Sequence, residues 1–129
     1  MQVTEAVEVV IFLLDKSRGN AHIDCKSFSK MNNLRVLKIY DMELGSIEER
    51  SEPNVSYSGR LEFLSNEMRL LYWHAYPFKS LPSDFYPENI VAIDMSYSKI
   101  KSLWTTPKVF TCFKCIFHNF FHGMKIRFM

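Results

Sequence analysis

An apolar pattern in this sequence repeats at a 22-residue interval. The repeating positions are Met68, Leu71, Trp73, Phe78 and Leu81, followed by Ile90, Ile93, Met95, Ile100 and Leu103. The pattern has the form L-x-x-L-x-L, in which a short strand is followed by a return segment. Such a unit buries its apolar side only against a neighbouring unit. The sequence therefore predicts a stack of similar units, each adding one strand to a shared parallel sheet.

A third copy of the pattern lies earlier in the chain. Leu34, Leu37 and Ile39, followed by Leu44 and Ile47, have the same offsets, but a longer interval separates Leu34 from Met68. The additional length coincides with the polar, turn-forming segment 48–59, which we predict to be an inserted loop. The fold class predicted for residues 34–106 is α/β: a short leucine-rich repeat solenoid of about three repeats, with parallel strands on the concave face.

The segment before the repeats reads as an N-terminal connector with a first strand or cap, residues 1–33. Within it, residues 6–14 are rich in Val and Ile and predict a buried strand. Residues 25–31 predict a short helical turn, because Phe28 and Met31 have the spacing of one helix face.

The last segment, residues 107–129, departs from the rest of the chain. It carries four basic residues and no acidic one, while residues 1–106 carry 12 basic and 14 acidic side chains. It also holds six of the eleven phenylalanines. A fourth repeat would begin at Cys112 and its spacing is loosely met, but no turn signature accompanies it. We therefore predict a divergent, irregular Phe-rich tail.

The predicted binding surface follows from the alternation of side chains along a strand. Residues between the inward apolar positions face the opposite side of the sheet, which places Lys38, Tyr72 and Asp94 in one row and Tyr40, His74 and Ser96 in the next. The full candidate set is Lys38, Tyr40, Leu70, Tyr72, His74, Asp94 and Ser96. Mixed aromatic and charged rows are typical of protein-binding patches. The alternative is a solvated sheet face without a partner.

Composition narrows the classes of partner and compartment. A net charge of +2 is too small to indicate nucleic acid. No stretch reaches the roughly 18–20 apolar residues of a membrane span, and acidic residues precede the first apolar run where a secretory signal would be basic. Three cysteines are too few for a disulfide framework. We expect a cytoplasmic and possibly nuclear protein that needs no cofactor and contacts neither membrane nor nucleic acid.

Two groups of reactive side chains compete with this interpretation. Cys112, Cys115, His118 and His122 supply four zinc-capable ligands, but only two residues separate the two pairs, which leaves little room for a tetrahedral site. A small zinc-binding protein remains a minor alternative.

His22 and Cys25 lie three residues apart without an orienting group. We therefore expect no enzymatic activity.

Several stretches together resemble plant intracellular immune receptors of the Toll/interleukin-receptor–nucleotide-binding–leucine-rich-repeat (TIR-NBS-LRR) class of disease resistance proteins. They are TEAVE at 4–8, SFSKMNNLRVLKIY at 27–40, LEFL at 61–64, MRLLYWHAYPFKSLPS at 68–83 and PENIVAIDMSYSKIKSLW at 87–104. The resemblance covers residues 4–106 in order, and places the chain at the start of the repeat domain.

The resemblance implies a role in plant innate immunity and defence signalling. It suggests a truncated repeat module that acts by protein–protein recognition or by autoregulatory contact. The implied partner is a pathogen effector, or the nucleotide-binding and signalling domains of a related receptor. No G-x-x-x-x-G-K-[ST] phosphate-binding motif occurs in the sequence, so nucleotide binding does not carry over. A non-functional gene fragment of the same receptor class is the other interpretation left open.

Overall fold

The computed structural model describes residues 3–15, 19–41, 55–98, 100, 102–105 and 114–116. Their strands are β1 (Val9–Leu14), β2 (Ala21–Asp24), β3 (Val36–Asp41), β4 (Val55–Ser58), β5 (Leu70–Trp73), β6 (Ala92–Asp94) and β7 (Lys114–Ile116). Helical structure in this part of the chain is limited to two 3-10 helices, Val3–Ala6 and Cys25–Lys30. The parallel-strand architecture predicted from the sequence is confirmed, with little helix.

Five strands form one parallel sheet in the order β1-β3-β5-β6-β7. Leu70 of β5 pairs with Ala92 of β6, which is the interval of the repeating apolar pattern. Val36 of β3 pairs with Leu70, which is the longer interval that separates Leu34 from Met68. Both intervals read from the sequence are therefore steps between neighbouring strands. The shorter step also relates the turns after the strands, because Ala75 and Tyr97 both have a left-handed backbone, with φ of 55° and 64°.

One face of this sheet forms the core. Its inward residues Leu37, Ile39, Leu71, Trp73 and Ile93 are completely buried, as expected for alternate positions on strands with one covered face. Residues before and after the strands complete the same core cluster: Met68, Tyr76, Leu81, Phe85, Ile90, Met95, Ile100 and Leu103. All but one of the ten apolar positions that define the repeating pattern are fully buried, and Phe78 packs partly buried against the same core.

The first strand is where burial was predicted incorrectly. The strand itself forms as expected and pairs with β3. Yet Val9, Ile11 and Leu13 are 55%, 53% and 55% exposed, and Phe12 is 37% exposed. Val9, Ile11 and Leu13 pair with residues on the face opposite the core, and Phe12 lies on the core face of an edge strand. Its apolar run therefore does not signify burial on both faces.

The predicted inserted loop also differs in part from the structure. Residues 55–58 of the segment 48–59 form β4, which pairs in parallel with β2 in a separate two-stranded sheet. Tyr57 of β4 packs on Trp73, with ring centroids 5.8 Å apart. The turn-forming segment therefore contains a short strand, and Val55 and Tyr57 of this strand pack against the core. Leu44 and Ile47 lie outside the described residues.

The tail segment contains a strand as well. β7 pairs in parallel with β6, and Ile93 lies opposite Cys115, so the interval of the repeating pattern continues into the tail. The expectation of an irregular tail is therefore wrong for residues 114–116, since main-chain pairing requires no particular side chains. The remainder of residues 107–129 lies outside the described residues.

The predicted helical turn is confirmed as the 3-10 helix Cys25–Lys30. The side chain of Asp24 caps it by accepting a hydrogen bond of 3.0 Å from the Lys26 N–H. Phe28 is 2% exposed, and its ring lies 5.9 Å from that of Trp73. The helix therefore contributes Phe28 to the core, where it packs against Trp73 of β5.

Candidate protein-binding surface

The face of the five-stranded sheet opposite the core, here called the open face, carries most of the candidate residues. Lys38 pairs with Tyr72, and Tyr72 pairs with Asp94, in the register of β3, β5 and β6. Residues paired across neighbouring strands point to the same side. The structure thus places these three side chains in the row that the sequence spacing predicts, with the Lys38 Nζ 5.0 Å from the Tyr72 ring centroid.

Aromatic side chains connect this row to the next. The ring of Tyr40 lies 6.0 Å from that of Tyr72 and meets the His74 ring edge-on at 4.7 Å. Burial raises the pKa of the Tyr40 phenol, and the neighbouring Tyr72 and Asp94 raise it further. Tyr40 is therefore an uncharged donor and acceptor at neutral pH, with a ring held in place by two neighbours.

Asp94 is the acidic centre of the open face. Its Oδ2 lies 3.6 Å from the His74 Nε2, and its Oδ1 accepts hydrogen bonds from the N–H and the hydroxyl of Ser96. Burial alone would raise the pKa of Asp94, but His74 and the two donors of Ser96 outweigh that effect and lower it. Asp94 is therefore held as a carboxylate with a fixed orientation.

His74 is oriented by this carboxylate. Its side chain is 15% exposed, and its Nδ1 is shielded without a hydrogen-bond partner among the described residues.

Of the candidates, Ser96 is buried and the others are half-buried. Ser96 lies beyond the end of β6 and is 1% exposed, so its hydroxyl holds Asp94 instead of facing solvent. Leu70 is half-buried on β5. The hydroxyl of Ser96 donates a hydrogen bond to the Asp94 Oδ1.

Sequence reasoning missed four residues of this face. Tyr97 lies beside His74, with ring centroids 5.8 Å apart, because its left-handed φ of 64° turns the chain after β6. Val9, Ile11 and Leu13 of β1 pair with Val36, Lys38 and Tyr40 and extend the open face with an apolar margin. Because all six residues of β1 are apolar, the sequence does not distinguish those that face the core from those that face the open side. The pairing with β3 makes that distinction.

His22 and Cys25 have different surroundings in the structure. His22 lies on β2, and its two ring nitrogens are 2.7 and 3.0 Å from the hydroxyls of Ser56 and Ser58. Cys25 is 2% exposed. Burial, together with the charge of Asp24, raises the pKa of its thiol, so Cys25 packs as a small apolar residue.

Metal ligands do not converge in the described part of the chain. No group of three or more His, Cys, Asp or Glu side chains suited to a metal ion occurs among those residues. Of the zinc candidates, only the main chain of Cys115 is described, and Cys112, His118 and His122 lie outside. Among the described residues, no helix is long and apolar enough to cross a membrane.

Three proteins of Arabidopsis thaliana are similar to this chain. Disease resistance protein RRS1 is 39% identical over 98 residues, which is 75% of this chain and 7% of RRS1. Disease resistance protein RRS1B is 38% identical over 115 residues, 89% of this chain and 8% of RRS1B. Disease resistance protein RPS6 is 40% identical over 83 residues, 64% of this chain and 7% of RPS6.

The chain spans less than a tenth of the length of these relatives. No protein-family model matches the sequence. No solved structure matches it either.

Proposed function

This chain belongs to the TIR-NBS-LRR class of plant disease resistance proteins. We propose that it acts in plant defence as a protein-recognition module. The relationship supports a role in defence. The module is the beginning of a leucine-rich repeat domain that binds protein through its open face.

The regular step between strands supports the repeat interpretation. The neighbouring strands β5, β6 and β7 follow one another at a constant interval, as the pairs of Leu71 with Ile93 and of Ile93 with Cys115 record. The left-handed turns at Ala75 and Tyr97 recur at the same interval. In a stacked array each unit repeats the same strand and turn. We infer that β3, β5, β6 and β7 each begin one unit of a short leucine-rich repeat solenoid.

A single observation carries the proposed recognition role: the row of Lys38, Tyr72 and Asp94, with Tyr40 and His74 packed beside it. Tyrosine supplies a large contact area with few rotatable bonds, and aromatic residues are enriched at the centres of protein interfaces. Here the rings already contact one another, so less side-chain freedom is lost on binding.

The proposed partner is a protein: either a pathogen effector, or the nucleotide-binding and signalling domains of a related receptor in an autoregulatory contact. We place the module in the cytoplasm, with the nucleus as a second compartment, and assign it no enzymatic activity. The oriented carboxylate of Asp94 and the ammonium of Lys38 provide charges of both signs within one row, which favours a partner with a mixed polar surface.

A binding experiment tests this function with the nucleotide-binding region of RRS1 as the probe. The full chain is titrated with that region by isothermal titration calorimetry. Tyr72→Ala and His74→Ala are expected to weaken binding by about tenfold or more, as removal of a central anchor does. Val91→Ala is the matched control, because Val91 is 58% exposed and lies outside the proposed surface.

The same titration with a panel of effector proteins separates the two proposed partners. Binding to an effector that is lost in Tyr72→Ala supports recognition of a pathogen protein. Absence of binding to any probe, or binding that Tyr72→Ala and His74→Ala leave unchanged, contradicts the proposed surface and favours a solvated face. Circular dichroism of each variant verifies that it remains folded.

A further inference from the structure

We propose that Asp94, with the rings of Tyr40 and Tyr72 beside it, forms a binding site for the guanidinium group of an arginine side chain on the partner protein. The proposal rests on the recognition role proposed above for the open face, and it specifies the chemistry of the partner.

The carboxylate of Asp94 can accept a hydrogen bond from a further donor. Its Oδ1 accepts from the N–H and the hydroxyl of Ser96. Its Oδ2 lies 3.6 Å from the His74 Nε2, farther than the roughly 2.7–3.2 Å of an N–H···O hydrogen bond. A carboxylate offers about four acceptor positions, so Oδ2 has capacity for a donor that approaches more closely.

Partial burial of Asp94 strengthens its attraction for a cation. Its side chain is 14% exposed, so a partner can reach it although the sheet shields it from most of the solvent. Charges in such surroundings are screened less than charges in bulk water. The contact should therefore contribute more than one made at an exposed carboxylate such as Asp84.

Aromatic rings adjoin this carboxylate. Tyr72 pairs with Asp94 across β5 and β6, and the ring of Tyr40 lies 6.0 Å from that of Tyr72. His74 is held by edge-on contacts with Tyr40 at 4.7 Å and with Tyr97 at 5.8 Å. Ring faces carry a partial negative charge and attract cations. The rings and the carboxylate thus favour a ligand of the same charge, and they already contact one another before it binds.

Lys38 shows that a cation is accommodated at the Tyr72 ring. Its Nζ lies 5.0 Å from the ring centroid, within the limit of about 6 Å for this interaction. Lys38 pairs with Tyr72 from β3, whereas Asp94 pairs with it from β6, so the proposed site lies on the other side of Tyr72.

Repulsion by Lys38 is weaker than the attraction of Asp94. Neighbouring strands are about 4.8 Å apart, so two steps place the strand of Lys38 about 10 Å from that of Asp94. This separation exceeds the Debye length of about 8 Å in physiological salt. A cation in direct contact with Asp94 is therefore attracted more strongly than Lys38 repels it.

The adjacent ring and carboxylate favour arginine over lysine. A guanidinium group is planar, so it can lie against an aromatic ring while its N–H groups donate to a carboxylate in its own plane. An ammonium group is compact and more strongly hydrated. It would lose more hydration on entering a site that is partly shielded from water.

A nuclear magnetic resonance titration of the isotope-labelled full chain tests the site with acetyl-arginine N-methylamide as the probe. Saturable shifts are expected for the main-chain amides of Tyr72, Asp94 and Ser96, with a dissociation constant on the order of 10 mM for this single side chain. Acetyl-citrulline N-methylamide, which has nearly the same shape without the charge, should cause no saturable shift. Acetyl-lysine N-methylamide should bind at least about threefold more weakly.

Variants of the chain assign the binding to the two parts of the site. Asp94→Asn is expected to weaken arginine binding at least about tenfold, because it removes the charge and keeps the shape. Asp84→Asn is the matched control, since it removes the same charge at an exposed position between β5 and β6. Tyr72→Leu, which removes the ring from a half-buried position, should weaken binding about fivefold. Tyr72→Phe keeps the ring and should bind more tightly than Tyr72→Leu.

Several results would overturn the proposal: no shift up to about 100 mM arginine probe, which is well above the expected dissociation constant, equal shifts with the citrulline probe, or equal weakening by Asp94→Asn and Asp84→Asn. Equal binding of the lysine probe would contradict the assignment to a guanidinium group. Signal dispersion in each spectrum verifies folding, and if Asp94→Asn does not fold, the comparison of Tyr72→Leu with Tyr72→Phe decides.

Calorimetry with protein probes separates this proposal from the recognition role. Binding of a protein that Asp94→Asn leaves unchanged would contradict the arginine site and leave the recognition role standing. Binding of the arginine probe without binding of any protein probe would contradict the recognition role and leave the site standing.

Discussion

The indole Nε1 of Trp73 donates a hydrogen bond of 2.9 Å to the hydroxyl of Tyr57. Trp73 is completely buried on β5 of the large sheet, and Tyr57 lies on β4 of the small one. This bond therefore joins the two sheets across the core. It also satisfies the single polar atom of the largest fully buried side chain.

Removal of the Tyr57 hydroxyl should destabilise the fold although the change in volume is small. Tyr57→Phe leaves the buried Trp73 N–H without its acceptor, which typically costs about 1–3 kcal/mol. Urea denaturation followed by circular dichroism measures the loss. Tyr72→Phe serves as the control, since Tyr72 lies on the open face, and an equal loss in both variants would argue against the role of this bond.

The packing of Phe28 in the core should contribute more to the free energy of unfolding than the hydrogen bond between Trp73 and Tyr57. Phe28→Ala removes a ring that is 2% exposed and contacts Trp73, so we expect a loss of about 3–5 kcal/mol in the free energy of unfolding. Val91→Ala, at an exposed position, should change it by less than about 0.5 kcal/mol. Comparable losses of stability in Phe28→Ala and Val91→Ala, measured by thermal or urea unfolding, would show that Phe28 does not stabilise the core.

The pKa of Asp94 predicts a pH dependence of stability. Because the folded-state pKa is lowered, the carboxylate stabilises the native state above its unfolded pKa of about 3.9. That stabilisation is lost as pH falls through the lower, folded-state pKa. Asp94→Asn should therefore be less stable than the unmodified chain at pH 7, and the difference should shrink below about pH 4. A difference independent of pH in urea unfolding would refute the assignment.

The thiol of Cys25 should react slowly in the native state. It is buried, and its raised pKa keeps it protonated, while the thiolate is the reactive form. Alkylation by iodoacetamide, followed at Cys25 by peptide mass spectrometry, should be slower by about a hundredfold or more in buffer than in denaturing urea. Equal rates would indicate that the native structure does not protect this residue.

Most of the large sheet could be predicted because the apolar pattern that specifies its strands is local and periodic. Leu71, Trp73, Ile93 and Met95 alternate with polar or half-buried residues, and the constant interval between units repeats that alternation. The row of Lys38, Tyr72 and Asp94 follows from the same regularity, since neighbouring strands in register carry equivalent residues side by side. Its role in binding protein stays a prediction.

Other features depended on contacts between distant segments. Residues 55–58 form a strand beside β2, although the polar segment 48–59 that contains them favours a turn. Residues 114–116 form a strand because β6 presents an edge to pair with. Tyr97 reaches His74 through a backbone angle that tyrosine rarely adopts. None of these partners can be identified from spacing within a single segment.

The pattern of residues along the chain was enough to predict the strand period, the inward residues and the class of protein to which the chain is related. Which apolar residues are covered depends on how the segments assemble. A run such as Val9–Leu14 has the same composition whether it lies at the centre of a sheet or at its edge. Burial depends on what packs against each face of the sheet: Val9, Ile11 and Leu13 lie on the open face and are exposed, whereas Leu14 of the same strand is 5% exposed. Exposure is thus a property of the assembled sheet rather than of any one strand.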